Sequence, residues 1–340
     1  MDIIIKSFNR PYYLDRCLYS IKKYAKGDFR IIIIDDGTPE KYLEKIKEKY
    51  PDVVIKKTTL ADKKSEYFKN IFNKNNSKVI GFPAKDWIKT VEESSSEYIF
   101  VTEDDVWLTQ EINFNEYIDD MHNYNISLLK ISWQGISSKG LSIENPLTKN
   151  ILQILPIKMI TPSKKMIHNI FFNKWKIKSI LYRLGIIDAT IFKKYYLLIS
   201  ISMGIYKKEY WLKTWENIDG DYMELNQLSN VGSKYNKNTI IARSNEEFLK
   251  TTYISSATMH DHKTSSDFDI DYFNFILNEE WYNSQLDSYN NFPDDFSEKY
   301  IENFLEKYNI SEASVNDWRN WRNNFKQYFI NSGAKVETNI

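Results

Sequence analysis

Cysteine is nearly absent. Cys17 is the only one in 340 residues, so no internal disulfide can form, and a reducing compartment is expected. Neither sign of charge is in excess: 46 Lys and Arg stand against 46 Asp and Glu, which removes the global electrostatic argument for nucleic acid. No apolar run approaches the length of a membrane span. The opening residues MDIIIKSFNR lack the long apolar region of a signal peptide, so the expectation is a cytoplasmic chain. Internal repeats and low-complexity linkers are missing too. Aromatic side chains are plentiful, 24 Tyr, 19 Phe and 9 Trp, but rings suit ordinary cores as well as sugar faces and decide nothing alone.

The most informative stretch is YIFVTEDDVWL, residues 98–108. Tyr98 to Thr102 read as a buried strand. The strand runs directly into Glu103, Asp104 and Asp105. Three adjacent carboxylates repel one another unless a cation offsets the repulsion. Strand ends of this kind are where ligands bind in open α/β sheets. The pattern points to a divalent metal and phosphate oxygens; a solvated acidic turn is the plain alternative.

Two earlier strands end in similar clusters. Asp2–Ser7 is followed by Phe8-Asn9-Arg10 and by Pro11, which suits the first turn of a helix carrying Leu14, Cys17, Leu18 and Ile21. Gly27 reads as a stop. Arg30–Ile34 forms the second strand and leads into Asp35-Asp36-Gly37-Thr38-Pro39. Thr38 is expected to cap a helix through Tyr42, Ile46 and Tyr50. Val53–Ile55 begins a third strand. Strand, helix, strand, helix, strand implies a parallel sheet with right-handed crossovers. The polar clusters at residues 7–10, 35–36 and 103–105 should then emerge on one edge. A helix is expected near Glu66–Phe72, another over Ala84–Glu93, and a strand over Ile126–Trp133 with a loop to about Ser142.

Residues 158–194 hold nine Lys or Arg against one acid, Asp188, a balance of +8. Ile170, Phe171, Trp175, Ile177, Ile180, Leu181 and Leu184 are interleaved with the bases. Such a segment suits an anionic membrane surface. Apolar residues at helical spacing more often pack inward, so an acceptor-side insertion is the preferred expectation. From Glu279 onward, eleven acids face six bases, a balance of −5. Tyr300, Phe304 and Tyr308 share helical spacing, as do Trp318, Trp321, Phe325 and Phe329, and Ser314 with Asp317 resembles a capping box. This C-terminal helical part should pack on the rest or pair with a second subunit.

The runs IIIKSFNRPYYLDRCLYSI, RIIIIDDGTPE and EYIFVTEDDVWL, in that order, resemble the GT-A glycosyltransferases, most closely the family-2-like group. The resemblance implies an α/β fold of Rossmann-like type: a mixed, mostly parallel sheet with helices on both faces, plus a C-terminal helical subdomain. It implies a nucleotide-sugar half over 1–125, an acceptor-side half over 126–270 with the 158–194 insertion, and a helical region over 271–340. In the family's pattern Asp36, with Asp35 beside it, binds the base and ribose edge, and Ser7, Asn9 and Arg10 line the same pocket. Glu103-Asp104-Asp105 stands where the family has Asp-x-Asp. Asp105 would ligate Mn²⁺ or Mg²⁺, Glu103 or Asp104 would contact ribose or donor sugar, and Glu103 could share the metal. Glu103 in place of the first Asp is a departure. Gly220-Asp221-Tyr222-Met223-Glu224-Leu225 resembles the family's Gly-Glu-Asp-x-Glu-Leu, with Tyr222 replacing the second acid. Asp221, or next Asp219, would be the general base of an inverting transfer; a helix-capping acid is the bland reading. His260 or His262 would complete the metal shell, against the commoner role of a hydrogen-bonded histidine.

The implied function is metal-dependent sugar transfer from a nucleotide-diphosphate donor to a hydroxyl acceptor, such as a bacterial surface glycan or lipid-linked oligosaccharide. The 158–194 segment would then lie near the inner face of the cytoplasmic membrane, and a homodimer is an open option. A non-catalytic nucleotide- or glycan-binding module is the rival from another class, although it would be expected to lose acids at the metal site. A sugar nucleotidyltransferase would need a glycine-rich loop after the first strand, where this chain has KSFNRP.

Overall fold

The computed structural model describes residues 1–73, 77–79, 81–136, 139–200, 203–218, 223–257 and 268–336. Its longer strands are β1 (Asp2–Ser7), β2 (Arg30–Asp35), β3 (Val54–Lys57), β4 (Tyr98–Glu103), β5 (Val106–Leu108) and β6 (Ile126–Lys130), then β7 (Ser142–Pro146), β8 (Ile151–Pro156), β9 (Gly204–Lys207), β10 (Ile240–Ser244) and β11 (Leu249–Thr251). Nine of them form one sheet in the order β3-β2-β1-β4-β9-β6-β10-β8-β7. β1 pairs in parallel with β2 and β4, β2 with β3, and β6 with β10. β9 is antiparallel to both β4 and β6, and β8 to both β7 and β10. Only β8 and β9 therefore run against the common direction.

The helices are α1 (Pro11–Tyr24), α2 (Glu40–Lys49), α3 (Ala61–Lys69), α4 (Ala84–Glu92), α5 (Phe114–Asn123), α6 (Lys164–Phe171) and α7 (Ile177–Arg183), then α8 (Ile191–Tyr196), α9 (Lys208–Thr214), α10 (Met223–Lys234), α11 (Ile270–Tyr282), α12 (Glu298–Tyr308) and α13 (Val315–Ser332). They cover both faces because the strands alternate with period two. Ile3, Ile5, Ile31, Ile33 and Phe100 face a core shared with α1, α5 and the C-terminal helices. Ile4, Ile34, Ile99, Val101 and Leu128 face a second core shared with α4, α6 and α8 to α10. Each fully buried aliphatic side chain here stabilises by roughly 1.5–3 kcal/mol. The acidic C-terminal part is not separate from this body: Phe273, Ile276, Trp318 and Trp321 lie in the same core as Leu14 and Leu18.

Several expectations shift in detail. Thr38 does not cap α2, which starts at Glu40 with Pro39 before it. The Thr38 hydroxyl instead accepts the Asn9 N–H at 3.0 Å, and its own N–H donates to Asp35. The helix placed near Glu66–Phe72 spans Ala61–Lys69. Its first turns look polar in sequence, but Lys64 and Ser65 are buried. The strand begun at Ile126 ends at Lys130 rather than Trp133, and the hairpin of β7 and β8 starts at Ser142, where the expected loop ends. The apolar and small residues of Tyr253–Met259, ahead of the two histidines, suggest a strand or its end, but β11 has ended by Thr251; residues 253–257 are not strand, and 258–259 lie outside the described residues. The Ser314 cap holds, accepting the Asp317 N–H.

Candidate functional site

Parallel register sets the ends of β1, β2 and β4 side by side. Ser7 lies opposite Asp35, and Lys6 opposite Glu103. The loops that follow are tied to the neighbouring strand: the Asp36 N–H donates to the Ser7 carbonyl at 2.9 Å and the Asp104 N–H to the Lys6 carbonyl at 3.0 Å. The three polar clusters thus meet on one edge, as their sequence order implied.

Arg10 is the centre of this edge. It precedes α1, and its carbonyl accepts the N–H groups of Tyr13 and Leu14. Its guanidinium donates through Nη1 to Asp105 Oδ2 at 2.7 Å and through Nη2 to Asp104 Oδ1. The other Asp104 oxygen accepts the Phe8 N–H at 2.9 Å and the Ser7 hydroxyl at 3.2 Å. Asp104 is therefore wholly engaged in holding the β1 loop. Asn9 adopts a left-handed conformation, φ 49°, and the Asn278 side chain of α11 donates to its carbonyl. The C-terminal helices thereby brace the loop.

Burial pushes the Asp104 carboxyl up to about 6, despite the opposing pull of Arg10. Asp105 also shifts upward through burial, again against Arg10. Burial works against the Arg10 charge, but the two carboxylates outweigh it and hold the guanidinium protonated. One oxygen stands apart: Asp105 Oδ1 is buried and has no hydrogen-bond partner. An unpartnered buried carboxylate oxygen suits a hard cation. Asp104, with both oxygens taken, does not. Among the described residues no group of three His, Cys, Asp or Glu side chains could hold a metal ion. A cation here would have to draw its remaining ligands from elsewhere, the phosphate oxygens of a bound ligand first.

A family model described as glycosyl transferase family 2 matches residues 2–185, more than half of the chain. The chain belongs to that family. It is a glycosyltransferase with a GT-A fold. No curated protein matches it. Solved structures similar to it include S. aureus TarS 1-349 in complex with UDP-GlcNAc, at 12% identity over 97% of this chain and 91% of that one, with a TM-score of 0.45. A longer S. aureus TarS chain is similar at 12% identity over 90% of this chain, with a TM-score of 0.41, and this chain spans only 42% of it. The galactosyltransferase LgtC in complex with donor and acceptor sugar analogues is similar at 11% identity over 68% of this chain and 70% of that one, with a TM-score of 0.33.

In this family 2 glycosyltransferase the β2 acids divide their work. Asp35 is fully buried and accepts the N–H groups of Gly37 and Thr38 at 3.1 and 3.0 Å, shaping the turn. Burial raises its carboxyl to about 7, against those hydrogen bonds. Asp36 is nearly buried and accepts Lys64 Nζ at 2.5 Å and the Thr58 hydroxyl at 2.6 Å. Its carboxyl is also raised by burial, with Lys64 opposing. Glu103 accepts Lys6 Nζ at 2.7 Å, and the same ammonium lies 4.6 Å from the Trp87 ring centroid. Asp219, Asp221, His260 and His262 lie outside the described residues.

The lysines at this edge escaped the sequence reading, although Arg10 did not. Lys64 was hidden in a helix start that looked wholly polar. Lys6 had a visible signal, a lysine inside an isoleucine strand at a position facing the core. Lys130 ends β6 in the same way. It is a half-buried lysine whose Nζ donates to the Tyr196 carbonyl at 2.8 Å, and desolvation lowers it to about 7. A cavity of about 190 Å³ lies elsewhere, lined by Trp107, Leu249, Lys250, Asp295, Phe296 and Lys326 among others. None of the strand-end candidates lines it.

Proposed function

We propose that this glycosyltransferase moves a sugar from a nucleotide-diphosphate donor to a hydroxyl acceptor, with the donor seated over the ends of β1, β2 and β4. The observation that carries the reading is the convergence of Ser7, Asn9, Arg10, Asp36 and Asp105 on one sheet edge, with Asp105 Oδ1 buried and unpartnered. Asp36 and Ser7 would take the nucleoside, and Asp105 would take Mn²⁺ or Mg²⁺ on its free oxygen, with Glu103 beside it. Such a cation, when bound, neutralises the diphosphate as it leaves. Arg10 holds the two carboxylates apart from one another's charge and fixes their direction.

In the proposed reaction the acceptor oxygen attacks the anomeric carbon and inverts it. The bond from that carbon to the diphosphate oxygen breaks, and its electrons leave with the nucleoside diphosphate. The hydroxyl proton passes to a carboxylate, for which Asp221 and then Asp219 are the candidates. His260 or His262 would complete the cation's shell. Residues 1–125 would hold the donor, 126–270 the acceptor and 271–340 would brace both. The acceptor would be a bacterial surface glycan or lipid-linked oligosaccharide, in a cytoplasmic setting with the 158–194 segment toward the membrane, and the acidic C-terminal helices offer a face for a homodimer.

The test is calorimetric titration of UDP, GDP, CDP and dTDP, each with and without Mn²⁺, on the wild type and on Asp105→Asn. Binding of one nucleotide that needs Mn²⁺ and is lost in the variant supports the reading. Binding of no nucleotide under either condition removes it.

A further inference from the structure

The basic segment 158–194 does not pack inward as a whole. Ile167, Ile170, Phe171, Ile187, Ile191 and Tyr195 enter the second core. The stretch between Phe171 and Ile187 behaves differently. Trp175 is 75% exposed, Ile180 51%, Tyr182 60%, Leu184 66% and Ile186 60%. α7 buries none of its residues fully; it rests on the core only through partly buried Ile177 and Leu181. Five large apolar or aromatic side chains exposed within one stretch, residues 175–186, are costly in water and mark a contact site.

The backbone holds Trp175 there. Asn173, Trp175 and Lys176 all adopt left-handed conformations, with φ of 47°, 51° and 59°. A bulky residue rarely takes this conformation, and such strain gathers where a side chain must be presented. The kink is fastened by the Asn173 side chain, which accepts the Ser179 N–H at 3.3 Å and donates to its hydroxyl at 3.2 Å. Trp175 is thus set outward by the fold.

The charges around it are of one sign. Lys174, Lys176, Lys178 and Arg183 lie within ten residues, and no acid occurs between Lys158 and Ile187. Lys178 stacks on the Phe192 ring at 4.5 Å. Asp188, the first acid beyond, is already paired with Lys194 at 3.1 Å. We propose that the Trp175–Ile186 stretch is a docking face for an anionic lipid surface, with Trp175, Tyr182, Leu184 and Ile186 entering the headgroup boundary and the bases meeting lipid phosphates. Trp and Tyr favour that boundary, and clustered Lys and Arg are drawn to anionic leaflets. A second copy seated symmetrically would set bases against bases, which disfavours self-association through this face. No helix among the described residues is long and apolar enough to cross a membrane, so the contact is peripheral. The proposal rests on the membrane setting given above for 158–194 and is independent of the choice of donor.

The test is co-sedimentation of the full chain with vesicles of phosphatidylcholine alone and of phosphatidylcholine with phosphatidylglycerol. The wild type should bind the anionic vesicles and leave the neutral ones. The triple change Trp175→Ser, Leu184→Ser, Ile186→Ser touches only exposed side chains and should abolish binding. The triple change Lys174→Gln, Lys176→Gln, Arg183→Gln should weaken it about a hundredfold. Brominated lipid should quench wild-type fluorescence, and that quenching should fall sharply in Trp175→Phe. Equal binding to both vesicle types, or no binding to either, overturns the proposal. So does a dimer, seen by sedimentation velocity, that the Ser variant dissolves while vesicle binding is unchanged.

Discussion

Replacing Arg10 with methionine should destabilise the protein by about 3–5 kcal/mol at neutral pH, the cost of breaking a buried ion pair from one side. Arg10 is 4% exposed at its side chain, Asp104 1% and Asp105 15%, so water cannot take the place of the guanidinium. The backbone of residue 10 still closes the first turn of α1, which leaves the loss with the side chain. The sign of the pH effect follows. With Arg10 present, burial already holds Asp104 near 6, above its ordinary 3.8. Without Arg10 only hydrogen bonds such as that from the Phe8 N–H to Asp104 still oppose burial, and both acids rise further. An acid whose folded value is raised adds stability at low pH and loses it as pH climbs through the folded value. The deficit of Arg10→Met should therefore shrink on acidification toward pH 5. Denaturant unfolding at several pH values reads this directly, with unchanged m-values as the check on two-state behaviour. Adding Asp104→Asn and Asp105→Asn to the methionine variant should restore part of the loss, since the buried charges go with their partner. A loss below about 1 kcal/mol, the scale of an exposed pair, or a loss constant across the pH range, would refute the reasoning.

Asp35→Asn should flatten the pH dependence of stability. The wild-type carboxyl moves from 3.8 to about 7 on burial, so its favourable contribution is full below about pH 4 and is lost as pH rises to 7. The gap is worth roughly 4 kcal/mol at about 1.4 kcal/mol per pH unit. Thermal unfolding of both proteins between those limits should show the wild type losing stability relative to the variant; parallel curves would exclude the raised value. Gly232→Ala in α10 should destabilise by about 1–3 kcal/mol, although alanine in a helix is ordinarily about 1 kcal/mol better than glycine. A Cβ there would run into the Tyr195 ring and come within 3.2 Å of Ile167 Cδ1. A rise in the unfolding midpoint would show that the ring yields.

Much of this protein is written locally. The continuous apolar and β-branched runs Ile3–Ile5, Ile31–Ile34 and Tyr98–Thr102 select buried strands, and the spacing of Leu14, Cys17, Leu18 and Ile21 selects the helix between the first two. From that order alone a parallel sheet follows, and with it the meeting of Ser7, Asp36 and Glu103-Asp104-Asp105 on one edge. This works because strand direction and crossover hand are set by short-range sterics. What each acid does at that edge was not legible. Asp104 and Asp105 look alike in sequence, yet one is saturated by Ser7, Phe8 and Arg10 while the other keeps an oxygen free. Asp35 and Asp36 are adjacent, yet one shapes its own turn and the other pairs with Lys64. The same holds for Ile170 and Ile180 in the basic segment, one buried and one exposed. Hydrogen-bond saturation and burial depend on groups brought together from distant parts of the chain, as far apart as Asn9 and Asn278. Only the tertiary fold decides which of two chemically identical side chains meets a partner and which is left to bind something else.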